Sequence, residues 1–413
     1  MMKEYWFYLE TYVFLWSDYR EILIYNTLSG NGYLYHNHPE LRPVISGLED
    51  KSNLYCITIN ENDLKVPAIK DFIHSIQENF CGDLLDKSVH TQKPLVVIPK
   101  LNVNEEVYTG VKTIKRDVTA GIHAEKNLLE LTVYLTGMCK LDCKDCRHTC
   151  RQIPWCFKND RVLQKEILFN TLKQTVHTSL TDVKFMGGDV FSYPFWDELM
   201  DELKKYAFKK SFCADIRLPS SNPKQLEIFE ETGFFLEILI DVSDSREQII
   251  HREIPINPKY SYLFKIKSVE EYEIVQSILD RYPIESKIIP YYDGTNLSFF
   301  KDHIFQTLDE IINTPWRKNE IFAHIVVNTH DFGKFTLLSD GKIYANVNFE
   351  PIGNAESDDI KALVNQELKH GKSWLLNRNK IDPCKNCLYK YLCPSPSNYE
   401  IAIGRPNLCH VKS

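Results

Sequence analysis

From residue 128 onward the chain alternates short, nearly unbroken apolar runs with longer stretches of helical period. LELTVYLT leads into a helical pattern around VLQKEILFNTLKQTVH, and DVKFMGG leads into another from PFWDELMDELKKYAF. SFCADIRL, helical KQLEIFEETG, FFLEILIDV, a short helix near SREQII, YLFKIKS, helical EEYEIVQSILDRY and ESKIIPYY continue the alternation. Strand runs that are apolar on both faces suit a sheet covered by helices, and the strand-helix rhythm makes that sheet parallel. About six such units predict an α/β fold with a parallel sheet or partial barrel. Its chemistry is expected at the C-terminal ends of the strands.

The flanking sections read differently. Residues 11 to 86 predict strands at YVFLW and EILIYNT, a turn at SGNG and a helix opened by Pro39 in PELRPVISGLED. A strand at LYCITIN and a helix over VPAIKDFIHSIQENF complete a small winged-helix-like unit. The polar, weakly periodic stretch 88 to 126 suits a connector. After residue 300 a helix (IFQTLDEIINT) and a hairpin around Ser339-Asp340-Gly341 lead into a cysteine-rich tail. The expected division is 1–95, a connector 96–126, 127–305 and 306–413.

With 43% hydrophobic and 25% charged residues over 413 positions, the composition is that of a globular protein with two or three cores. The N-terminal aromatic run is interrupted by Glu10 and Asp18, and no positive n-region precedes a clean apolar stretch, so neither a signal peptide nor a membrane span is expected. The expected location is the cytoplasm. There, twelve cysteines do not read as a disulfide framework; seven of them fall in two groups, which points to metal or cluster ligation. A net charge of −7 argues against nucleic acid as a partner.

The first group is GMCKLDCKDC, with Cys139, Cys143 and Cys146 directly after the first strand of the β-α section. Three thiolates can hold three corners of a 4Fe–4S cube and leave the fourth iron open to a substrate. A zinc knuckle completed by Cys150 or Cys156 would use the same thiols, but it does not account for the preceding strand or for the Gly187-Gly188-Asp189 turn after the next one.

CX3CX2C in this place, followed by FMGGD, resembles the radical SAM superfamily. The resemblance implies a partial (β/α)6 barrel over roughly residues 127 to 305, with the open iron chelated by S-adenosylmethionine and Gly187, Gly188 and Asp189 contacting that cofactor. It further implies reductive cleavage of the sulfonium, fed by an electron donor such as flavodoxin or ferredoxin. The family usually carries an aromatic residue before the third cysteine and a glutamate in the glycine turn; this chain has Asp145 and Asp189. Other candidate SAM contacts are Ser220, Ser221 and Asn222 after the third strand and Asp241 with Ser243 after the fourth; each also reads as a turn or helix cap.

The tail CKNCLYKYLCPSPSNYEIAIGRPNLC provides Cys384, Cys387, Cys393 and Cys409. It resembles the SPASM extension of radical SAM proteins, whose closed auxiliary cluster takes four thiolates, while a zinc ribbon would use the same set. The hairpin before it has no cysteine, so two 4Fe–4S clusters in total are expected. Residues 1 to 100 hold nine Lys and Arg against thirteen Asp and Glu, which disfavours a duplex as the partner of the first section. In peptide-modifying members of the family a similar domain binds the leader of a ribosomal precursor peptide as an added strand. The whole chain resembles the Bacteroidetes maturases of Gly-Gly precursors, a family that also includes pseudo-radical SAM proteins. Cys56, Cys81 and Cys213 read as buried thiols.

Overall fold

A computed structural model describes residues 3–94, 123–141, 143, 146–219, 223–243 and 257–411. Most of the expected connector and the expected helix near SREQII lie outside them. Among the described residues no helix is long and apolar enough to cross a membrane.

The architecture is mixed α/β around a large, mostly parallel sheet. Six strands follow one another side by side: β7 (Glu130–Thr136), β8 (Asp182–Gly187), β9 (Lys209–Asp215), β10 (Phe235–Asp241), β11 (Tyr260–Ile266) and β12 (Ser286–Pro290), every neighbouring pair parallel. Helices α3 (Cys146–Gln152), α4 (Lys165–Gln174), α5 (Trp196–Leu203), α6 (Pro223–Glu231) and α7 (Val269–Arg281) punctuate them. Ser268 caps α7 by accepting from the Glu271 amide.

Strand alternation sorts the side chains onto two faces. Leu131, Val133, Val183, Phe185, Phe212 and Ile238 belong to the main core that also holds the helices. The opposite face is layered. Lys184 and Glu237 stand near the strand starts, and apolar Tyr134, Met186, Leu239 and Leu263 lie in the middle. Asp215, Asp241 and Lys265 stand at the C-terminal ends.

The N-terminal section holds more strands than its sequence pattern indicated. The aromatic run YWFYLETYVFLWS forms two, β1 (Glu4–Leu9) and β2 (Val13–Ser17), because Thr11 and Tyr12 turn the chain between them, the Val13 amide donating to Glu10 O at 3.0 Å. With β3 (Glu21–Asn26), β4 (Asn31–His36), β5 (Cys56–Asn60) and β6 (Gly82–Asp86) they form two antiparallel sheets, β5-β1-β6 and β2-β3-β4. Helix α1 (Arg42–Glu49) carries a proline in its first turn, Pro43, so Pro39 lies in the turn before it and does not open the helix. Helix α2 (Pro67–Glu78) starts as expected with proline in its first turn.

The tail attaches to the parallel sheet, a connection the sequence pattern did not disclose. Its hairpin, β13 (Lys334–Leu337) and β14 (Lys342–Tyr344), turns at Gly341, whose φ of +84° favours glycine. β13 pairs in parallel with β7 and covers what would otherwise be the sheet's edge.

Candidate functional site

The loop that carries the first cysteine group is fastened to four strand ends. The Gly188 amide donates to Thr136 O (2.7 Å) and the Asp189 amide to Met138 O (2.7 Å), so β8 continues to pair with the chain just before Cys139. This close approach explains both glycines. A Cβ on Gly187 would lie 2.2 Å from Thr136 O, and one on Gly188 would lie 2.4 Å from Met138 O. From β9, the Arg217 guanidinium donates to the Cys143 sulfur at 2.9 Å. Helix α3 is held to β11 through Lys265 and Thr149 Oγ1 (3.4 Å). It is held to the chain after β12 by Gln152, which donates to Tyr292 O (2.7 Å) and accepts from the Tyr292 amide (3.0 Å).

The three thiols are mutual neighbours. Cys143 is pushed up by its hydrogen bond to Cys146 and then by burial. In Cys146 the bond to Cys143 favours the thiolate, yet a further bond to Cys156 and burial push it up to about 12. Cys139 feels Cys143, Asp189 and Lys158 and is raised mainly by burial. As neutral thiols these groups pack against each other, and metal binding would exchange three protons for one shared cationic centre. Among the described residues no three His, Cys, Asp or Glu side chains already stand as ligands about one point. The donor set itself, three adjoining thiols with a guanidinium beside one of them, fits an iron–sulfur cluster.

The other expected SAM contacts differ in what holds them. Asp189 is buried, which raises its carboxyl, and Oδ1 accepts from the Phe191 amide at 3.1 Å as a helical cap. Asp241 pairs with Lys265 at 2.5 Å, and its Oδ1 is buried without a partner. Ser243 donates to Glu271 Oε1 (2.6 Å) and so serves α7. Asp145, Ser220, Ser221 and Asn222 lie outside the described residues.

Asp215, Arg217, Lys265 and Trp155 were not singled out in the sequence. Lys265 is 2% exposed, with its ammonium 5.2 Å from the Trp155 ring and 4.7 Å from Tyr291. A charged residue inside an otherwise apolar strand, as in YLFKIKS and SFCADIRL, was the available signal. Cys156 is buried and packs in one apolar cluster with Cys146, whereas Cys150 borders a cavity of about 630 Å³ below the apolar layer. That cavity is lined by Glu130, Lys184, Glu237, Lys287 and His330 among others, and by Tyr134, Gln152 and Ile153 on the side toward α3.

The tail cysteines are gathered as a set of four. Cys384, Cys387, Cys393 and Cys409 all line one cavity of about 30 Å³ with Arg378. The late Cys409 is brought back by a parallel bridge to Gln306, and Arg378, ion-paired with buried Glu400, donates to Cys384 Sγ at 3.8 Å. Burial pushes Cys393 up to about 12. Four thiols without a carboxylate or imidazole among them fit a closed cluster or a zinc ion.

No protein-family model and no curated protein matches the chain. Among solved structures it is similar to Streptococcus suis SuiB, with 13% identity, a TM-score of 0.46 and coverage of 98% of this chain and 100% of that one. The structure of SuiB bound to precursor peptide SuiA aligns at 12% identity and TM-score 0.41, covering 98% and 99%. Native anSMEcpe with bound AdoMet aligns at 15% identity and TM-score 0.40, covering 64% and 88%. The functional reading therefore rests on this chain's own side chains.

Proposed function

We propose that the chain is a radical SAM enzyme that modifies a ribosomally made precursor peptide. The carrying observation is the triplet Cys139, Cys143 and Cys146, three adjoining thiols on the loop after the first of six parallel strands, fastened by Gly187-Gly188-Asp189. In this reading the parallel strands are a partial (β/α)6 barrel, the triplet holds a 4Fe–4S cluster and the four tail thiols of a SPASM-like section hold a second. When bound, the triplet cluster and S-adenosylmethionine supply one-electron cleavage of a sulfonium bond, drawing on reduced flavodoxin or ferredoxin. Gly188 and Asp189 shape the cofactor's edge of the site, and Asp241 has one buried oxygen to offer it. The precursor's leader adds to an edge of the β5-β1-β6 sheet, and its core segment reaches the C-terminal ends of the parallel strands, where the triplet stands.

A second reading, a protein that presents the precursor to a separate maturase, is favoured by one observation. Tyr134, Ile153, Trp155, Met186 and Leu263 are packed into one apolar cluster with Cys146, and they occupy the sheet face between the triplet and the cavity. Anaerobic reconstitution followed by assay of 5′-deoxyadenosine separates the two. The enzyme reading expects SAM cleavage that disappears in Cys139→Ala, Cys143→Ala and Cys146→Ala. No cleavage with either dithionite or flavodoxin sinks it. Metal analysis adds a check: zinc in the tail would replace the second cluster.

A further inference from the structure

The guanidinium of Arg217 reaches the triplet from outside the motif. Its Nη2 lies 2.9 Å from Cys143 Sγ, where the thiol sulfur stands for the thiolate of a loaded site. The side chain is fixed from behind. Nε donates to Asp215 Oδ1 and Nη2 to Asp215 Oδ2, both at 2.7 Å, so the planar fork is gripped at two points. Asp215 is itself 2% exposed, the last residue of β9, and it also accepts from the Arg217 amide at 3.0 Å. The backbone of the turn is tied down as well, Ile216 N to Leu239 O at 3.0 Å and Leu218 N to Asp215 O at 2.9 Å. An ordinary surface Asp-Arg pair would leave both groups in water and the arginine free to swing. Here the carboxylate is buried and the fork is aimed at sulfur.

We propose that Arg217 is a positioning residue for the triplet cluster, donating a permanent hydrogen bond to the Cys143 thiolate and thereby holding the cluster's reduction potential up. This rests on the reading that the triplet carries a 4Fe–4S cluster. Reduction adds one electron from the external donor to the cluster and makes its sulfurs better acceptors. A cationic donor at one thiolate therefore stabilises the reduced form more than the oxidised form. Arginine suits this role because it stays protonated at every accessible pH and its rigid fork serves carboxylate and sulfur together. A lysine would supply charge without the two-point grip.

The test is a mediated dithionite titration followed by electron paramagnetic resonance on reconstituted wild type, Arg217→Gln and Arg217→Lys. The tail signal is identified in a variant lacking Cys139, Cys143 and Cys146. The triplet signal should titrate at a more negative potential in Arg217→Gln and between the two in Arg217→Lys, with the tail signal unmoved. Equal potentials in wild type and Arg217→Gln overturn the proposal and leave the enzyme reading standing. Loss of the triplet signal in Arg217→Gln, with the tail signal and circular dichroism retained, also overturns it, since the residue would then be needed for assembly and not for tuning. Absence of a triplet signal from wild type overturns both.

Discussion

Replacing Lys265 with Met should destabilise the C-terminal ends of the parallel strands far more than a surface change would. Asp241 and Lys265 are register partners on adjacent strands, 6% and 2% exposed, with 2.5 Å between their charged atoms. Asp241 Oδ1 already has no partner, so removing the ammonium leaves a buried carboxylate with neither oxygen matched by a charge. Breaking a buried pair in this way costs about 3–5 kcal/mol, because one desolvated ion remains uncompensated. The ammonium's contacts with Trp155 and Tyr291 disappear with it. Since about 1.4 kcal/mol is a factor of ten, amide hydrogen-exchange protection across β10 and β11 should fall by roughly 150- to 4,000-fold. Converting Asp241 to Leu in the same molecule removes the stranded charge and should restore most of that protection. A fall of less than tenfold in the single variant, or no recovery in the double one, would refute the view that an uncompensated charge is the cause.

Gly188→Ala places a methyl against Met138 O and Gly137 O, which are backbone atoms and cannot swing aside. It should cost about 1–3 kcal/mol in thermal unfolding and lower iron retention at the triplet, with the tail site unaffected. Tyr25→Phe removes a bond to Thr314 O (2.6 Å) and another from the Trp316 amide (2.7 Å), and should lower the urea midpoint by the equivalent of about 1–3 kcal/mol. The Glu367 carboxyl is raised by burial, so its favourable contribution is complete below the ordinary carboxylate range and is lost as pH rises through the raised value. The melting temperature of Glu367→Gln should accordingly gain on that of wild type as pH rises through that window, and a constant difference would contradict the assignment.

The parallel strands were legible because each is a near-continuous apolar run, and the run itself is the signature of burial on both faces. The strands NGYLYH and GDLLD were not, since both are short and half-polar and carry the glycines that mark turns. Among the site residues, the cysteines and the glycine turn announce themselves by spacing. Arg217 and Lys265 do not, because their importance comes from which strands lie side by side. Asp241 and Lys265 meet only because β10 and β11 pair in that register, and Arg217 finds Cys143 across 74 positions of sequence. Local pattern records burial and turn chemistry; contacts between strand ends are set by topology.

The topology also gives the tail a task beyond holding four thiols. On one side β13 extends the sheet from β7, and on the other Tyr399 donates to Pro290 O at the end of β12 (2.7 Å). Between them Asn348 donates to Arg151 O (2.7 Å), so the tail reaches both borders of the six parallel strands and also α3. Tyr399 belongs to the short helix Asn398–Ile403, and its neighbour Glu400 grips Arg378, which faces the tail thiols. The β2-β3-β4 sheet rests on this same section. Phe14 packs edge-on against Phe322 at 5.3 Å, Tyr389 donates to Glu21 at 2.9 Å, and Phe14, Leu23 and Tyr25 share one apolar cluster with Ile311, Leu388 and Leu392. Cys387, Cys393 and Cys409 pack against that cluster. The two N-terminal sheets share one core, Phe7 and Leu9 packing with Leu15, Ile22 and Ile24, so a peptide bound at the edge of β5-β1-β6 would be positioned relative to the strand ends through β2-β3-β4 and the tail.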